Sequence, residues 1–170
     1  MLANSTPVYL LASPDPALLA DLEPVLAADG ARVEIFLSAE AALLSLTAAH
    51  APTLALIDVN LPGMAIGQLL AVARAEAVGR GYPIVLISDT VTQEWIDRLA
   101  EGVIDDLVPR SAEPSFLRLR LQAVLREHRR SRELEMLREA NALNTQMDRL
   151  TGIYNRETML SMMFRETDRV

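Results

Sequence analysis

The 170 residues carry a formal net charge of -7, a sequence pI near 4.8 and 51% hydrophobic side chains, enough for one packed core with a short extension. This acidic balance argues against nucleic acid and anionic membrane surfaces as partners, so any anion site has to be local. The absence of cysteine excludes disulfides, thiolate metal sites and cysteine nucleophiles, and all 16 basic residues are arginine, so no step that needs a lysine amine can run on this chain.

Residues 1–7 carry no charged side chain, and the apolar run over 8–12 is too short for a signal peptide or a membrane span, so a cytoplasmic protein is expected. Residues 8–12 are also the first of five short runs rich in Val, Ile and Leu, each of a length that suits a buried strand. Asp15 then offers a cap to a helix over 17–28, with Pro16 in the first turn. A second run over 33–37 leads to a helix over 39–49 behind Ser38, and a third over 54–57 leads into a helix over 65–77. The fourth run, 84–87, precedes a helix over 92–101, and a weak fifth at 107–108 completes the alternation. Five βα units with no hairpin signal specify an α/β domain, a parallel sheet covered by helices on both faces. Ligands of such sheets sit at the carboxyl ends of the strands.

Beyond Pro114 no further strand is expected, and helix formers run from 115 to about 150 as one long helix or two joined ones. Leu117, Leu121, Val124 and Leu125 give its first part a stripe able to close the α/β domain. Met136, Ala140, Leu143, Met147 and Leu150 follow at alternating spacings of four and three, the seam of a short coiled coil and hence of a homodimer. An amphipathic helix lying on its own domain is the competing reading. Charge divides near the same place: residues 1–115 hold five arginines against fifteen acids, and 116–170 hold eleven against eight. The basic stretch 126–132 before a heptad seam is also how a zipper-type DNA reader is laid out. Glu127, Glu133, Glu135 and Glu139 dilute it, and a solvated face with i,i+4 ion pairs is the preferred reading.

The segment Leu54-Ala-Leu-Ile-Asp58-Val-Asn-Leu-Pro-Gly-Met64 ends a buried run on an aspartate and turns through Pro62-Gly63. Alone, Asp58 reads as a turn or capping residue; the third strand of five, however, delivers it to the edge where a phosphate or metal site is built. With Pro83-Ile-Val-Leu-Ile-Ser88 and Gly102-Val-Ile-Asp-Asp-Leu-Val108, the chain over about 7–128 resembles the receiver domains of bacterial response regulators. The resemblance implies a flavodoxin-like (βα)5 fold with a five-stranded parallel sheet. It also implies in-line phosphoryl transfer to a carboxylate, with Mg²⁺ held by an acidic pair, the acceptor and a backbone carbonyl, and with a hydroxyl and a lysine on the phosphoryl oxygens. Asp58 then matches the acceptor, Asn60 the carbonyl donor and Ser88 the hydroxyl. The acidic pair falls on Ser13 and Pro14, with Asp15 one residue on; the lysine falls on Pro109, with Arg110 beside it; the reporting aromatic falls on Asp106. Mg²⁺ at Asp15, Asp58 and Asn60 would therefore be weakly held, and an acyl phosphate would lie near Asp89, Asp105 and Asp106 with no ammonium to balance it. Arg110 is a planar fork and no like-for-like replacement. The expectation is a degenerate receiver, poorly phosphorylated at Asp58; an unusually liganded, phosphorylatable receiver is the alternative, reached by one-residue slips at Asp15 and Arg110.

The run Asp148-Arg-Leu150-Thr151-Gly152-Ile-Tyr-Asn155-Arg156 is the most specific local motif. Its plain geometric meaning is a helix stop at Gly152 and a cap at Asn155. It resembles the Asp-x-Leu-Thr-Gly-Leu-x-Asn-Arg opening of diguanylate cyclase domains, which condense two GTP into cyclic di-GMP across two subunits. Val170 comes before any Gly-Gly-[Asp/Glu]-[Asp/Glu]-Phe run, so catalysis is not expected here, and Met159, Met162, Met163 and Phe164 read as the apolar face of that domain's first helix. The resemblances imply a receiver-like domain over 1–128, a helical linker over 129–147 and the start of a cyclase domain over 148–170. The implied function is a regulatory, dimerising input module, with a histidine kinase or another protein as partner. A stand-alone scaffold is the rival from another class.

Overall fold

The computed structural model describes residues 6–76 and 81–146, with side chains over 6–75 and 81–142. Strand and helix alternate as β1 (Val8–Ala12), α1 (Pro16–Ala27), β2 (Arg32–Phe36), α2 (Ala39–Leu46), β3 (Leu54–Asp58), α3 (Ile66–Glu76), β4 (Ile84–Ile87), α4 (Gln93–Ala100), β5 (Asp106–Val108) and α5 (Pro114–Gln146). The sheet is parallel throughout, in the order β2-β1-β3-β4-β5. That order is the doubly wound, flavodoxin-like arrangement expected, with its switch point between β1 and β3.

The burial of each strand follows from its place in that order. Central β3 and β4 are buried at every position, as their almost wholly apolar runs require, whereas edge strand β2 buries no residue fully, Arg32 and Ile35 being exposed and Val33, Glu34 and Phe36 half-buried. Alternate side chains of the central strands feed two cores. Leu10, Ala55, Ile57, Ile84 and Leu86 pack with Ala42, Leu46, Leu69 and Leu70, while Leu11, Leu54, Leu56, Val85 and Ile87 pack with Leu19, Leu22, Leu117 and Leu121. Tyr82 joins the first core and its hydroxyl donates to the Leu46 carbonyl, so its polar end is satisfied inside.

Caps define the helix starts: Asp15 accepts from the amides of Ala17 and Leu18, Ser38 from Ala41 and Thr92 from Trp95. α1 tolerates Pro24 because that residue lies on its exposed side. α4 is the exception to the packing pattern, since none of its residues is buried.

The chain divides into two units, residues 1–128 and 129–170. In the second, α5 continues to Gln146 and carries exposed Leu134, Met136 and Leu137. Met136 and Ala140 of the expected seam lie on this helix. The side chain of Leu143, Met147, Leu150 and the whole motif from Asp148 to Arg156 lie outside the described residues. Among the described residues no helix is long and apolar enough to cross a membrane.

Candidate functional site

The last residue of β3 is Asp58, and its side chain has no solvent-exposed surface. A carboxylate taken fully out of water is tolerated only if its lone pairs are met and its charge is balanced. Both conditions hold. Oδ2 accepts from Ser13 Oγ at 2.6 Å and from Arg110 Nη2 at 2.9 Å; Oδ1 accepts from the Asn60 amide at 2.9 Å and from the same Arg110 nitrogen at 2.7 Å.

The supporting elements come from the carboxyl ends of neighbouring strands. Ser13, just beyond β1, is itself fully buried and is set by its amide bond to Phe36 O, so its hydroxyl points across to β3. Asn60 contributes an N–H from the turn after β3, a donor and so the opposite polarity to a metal-ligating carbonyl. Arg110, two residues beyond β5, spreads its three nitrogens over three carboxylates. Nη2 is on Asp58, Nη1 on Asp15 at 3.2 Å, and Nε is 3.3 Å from Asp89, beyond β4. One guanidinium thus ties together the loops that follow β1, β3, β4 and β5. A planar fork suits this task better than an ammonium, because it offers separate N–H edges at fixed angles.

Several sequence expectations are corrected here. Pro109, set at the lysine position by the resemblance, is exposed, and Arg110 is the residue that enters the cleft. Asp106, set at the aromatic position, is buried near the opposite, amino end of β5 and pairs with Arg120 of α5, whose pKa its hydrogen bond and charge push up. Asp105 pairs with Arg74 and accepts from the Ile84 amide at the start of β4. These two carboxylates therefore belong to the amino end of the sheet and add no charge to the cleft; Asp89 does. Ser88 is nearly buried, and its hydroxyl donates to Thr90 O at 2.8 Å and not to Asp58.

The residues present do not fit a divalent cation. Among the described residues no three acidic or histidine side chains come together as a ligand set. The space between Asp15 and Asp58 is bridged by the guanidinium, and Asp15 Oδ1 is already committed to capping α1. In this arrangement both oxygens of Asp58 are bonded within the protein, to Ser13, Asn60 and Arg110, and its side chain has no exposed surface. The signal that pointed to Arg110 was present in the sequence, since it is the only basic residue between Arg98 and Arg118, close to a strand end that faces Asp15, Asp58 and Asp89.

No protein-family model matches the sequence, and no curated protein matches it. Solved structures do match its fold. A CheY-like response regulator receiver domain protein from Methanospirillum hungatei JF-1 is 23% identical with a TM-score of 0.66, covering 75% of this chain and 99% of that one. The signal receiver domain of an HD domain-containing protein from Pseudomonas fluorescens Pf-5 is 22% identical with a TM-score of 0.65, covering 78% and 96%. Chemotaxis response regulator CheY4 of Vibrio cholerae is 18% identical with a TM-score of 0.62, covering 71% and 99%.

Proposed function

From this receiver fold, we propose that the chain is a regulatory module that works without phosphoryl transfer at Asp58. The observation that carries the reading is the contact of Arg110 with both oxygens of a fully buried Asp58. In the regulators that the sequence resembles, a metal ion, an ammonium and a phosphoryl group act on this carboxylate in turn. Here the guanidinium of Arg110 meets it instead, and the surrounding carboxylates of Asp15 and Asp89 leave the cleft with more negative than positive charge, which repels a phosphodonor.

On the output side, Asp148 to Arg156 resembles the opening of a diguanylate cyclase domain, with Ile153 in place of its leucine, and the seam through Met136, Ala140, Leu143, Met147 and Leu150 supplies a means of joining two copies. The module then passes the relative orientation of two subunits to paired cyclase domains. Finding a Gly-Gly-Glu-Glu-Phe-like run in coding sequence downstream of Val170 supports this, and a stop codon there supports a scaffold. Light scattering with and without residues 133–170 measures the stalk's part: a dimer that becomes a monomer on truncation is the expected result.

A second reading has one observation in its favour. Arg110 brings a cation to the carboxylate, and on this second reading arginine takes the lysine's role in a phosphorylatable receiver. Intact-mass measurement after treatment with acetyl phosphate and Mg²⁺ separates the two. Little or no adduct is expected; near-complete labelling that disappears in Asp58→Asn would establish the second reading instead.

A further inference from the structure

Away from the Asp58 cleft, α2, the turn before α3 and the middle of α3 line an open apolar cleft of about 550 Å³, through Glu40, Leu43, Leu44, Thr47, Met64 and Val72. Leu44 is 75% exposed and Val72 is 42% exposed, whereas Leu43 and Met64 reach down onto the core and form the floor. We propose that this cleft docks an amphipathic helix of a protein partner, one that carries an arginine or lysine beside its apolar face.

Two features of the cleft identify the occupant. The first is that the walls are built from side chains carried on two helices. The α2 amides of Ala39, Ala41 and Ala42 are bonded to Pro62 O, Ser38 Oγ and Ser38 O, and the Thr47 hydroxyl is already spent on Leu43 O. An extended peptide laid here would bury its own N–H and C=O groups against leucine, valine and methionine without partners. A helix brings its backbone already bonded, and a third helix set into the groove between two others is an ordinary packing solution. Met64 at the floor gives a surface that adapts to the side chains it meets.

The second feature is charge. Glu40 sits in the first turn of α2 and at one end of the cleft, exposed and with no cation paired to it among the described residues. Its carboxylate lies over Gly63, where any Cβ would collide with it, so the position is held open by the backbone of the β3–α3 turn. Residues 1–115, which hold five arginines and fifteen acids, give the domain a net charge of the same sign, which favours a basic partner over an acidic one.

The test uses the full chain and two synthetic peptide probes, each an amphipathic helix with leucines at i, i+3, i+4 and i+7. One carries arginines flanking that face and the other glutamates, and binding is followed by fluorescence anisotropy. The arginine peptide is expected to bind and the glutamate peptide to bind at least about tenfold more weakly. Leu44→Asp, on an exposed site that the fold does not need, should weaken the arginine peptide by about tenfold or more, the loss that follows from exposing one leucine contact. Glu40→Lys should reverse the preference between the two peptides. Far-UV circular dichroism confirms that both variants fold. The proposal is overturned if neither peptide binds, if Leu44→Asp leaves affinity unchanged, or if both peptides bind alike in the parent chain and in Glu40→Lys. It is equally overturned if a small apolar dye fills the cleft and the peptides do not displace it, since that marks a small-ligand pocket.

Discussion

Replacing Arg110 by alanine removes the only cation that, among the described residues, is bonded to a carboxylate with no solvent-exposed surface. Asp58 would keep two donors, Ser13 Oγ and the Asn60 amide, and would have to hold its charge against a low-dielectric wall. Breaking a buried ion pair by removing one partner costs about 3–5 kcal/mol. The Arg110 side chain retains 21% exposure, so water can follow into the vacated space, which places the loss near the lower end, about 3 kcal/mol. The lost contacts to Asp15 and Asp89, 40% and 61% exposed, add little because solvent screens them. With a urea slope of about 2 kcal/mol per molar for a domain of this size, the unfolding midpoint should fall by about 1.5 M. Adding Asp58→Asn to Arg110→Ala removes the stranded charge and should recover about 2 kcal/mol of that loss. Urea melts of the parent, both single variants and the pair close the cycle. A midpoint shift under about 0.3 M for Arg110→Ala, or a double variant no more stable than that single one, would show that the guanidinium is not what holds Asp58.

The melting temperature of the parent chain should not move on adding about 10 mM MgCl₂, while Ser13→Asp combined with Arg110→Ser, which rebuilds an acidic pair beside an emptied centre, should gain a few degrees; a clear rise in the parent would mean that the ion binds despite the arginine. Arg120→Ala should cost about 2 kcal/mol in a urea melt, because Asp106 is 8% exposed and loses its partner, whereas Arg32→Ala should cost under about 0.5 kcal/mol, its pair with Glu34 being open to water. Equal losses would remove burial as the explanation. Gly63→Ala should destabilise by about 1–3 kcal/mol, since φ is +105° and the new Cβ meets Glu40. Adding Glu40→Ala should return only the collision's share of that loss, and full recovery would contradict a backbone contribution.

The sheet could be read from the sequence because unbroken Val, Ile and Leu runs leave a buried parallel strand little alternative. The ends were less legible where side chains compete locally. α2 stops at Leu46 and not at 49, because Thr47 bonds Leu43 O through both its amide and its hydroxyl and closes the helix there. β2 begins at Arg32 because pairing with Val8 extends the ladder past the apolar run. Within the cleft, the placement of Asp58 followed from its strand end, whereas Ser13 came only from the family resemblance, as the place of a missing carboxylate. The part played by Arg110 followed from neither, since it depends on how far a long side chain reaches across four loops, which strand spacing does not encode. For the same reason the division of acids between the two ends of β5 escaped sequence reasoning: Asp105 and Asp106 are separated from the cleft only by the length of one short strand, yet their arginines are Arg74 and Arg120.

The helix with no buried residue also bears the chain's only tryptophan, Trp95, which rests partly on the core with Arg98 over its ring at 5.9 Å. A segment that contributes so little interior contact is the first to lift away when conditions become unfavourable. Indole emission is therefore a local gauge in this protein, expected to shift at lower denaturant than the circular dichroism of the sheet. A single fluorescence midpoint would understate how firmly the five strands hold.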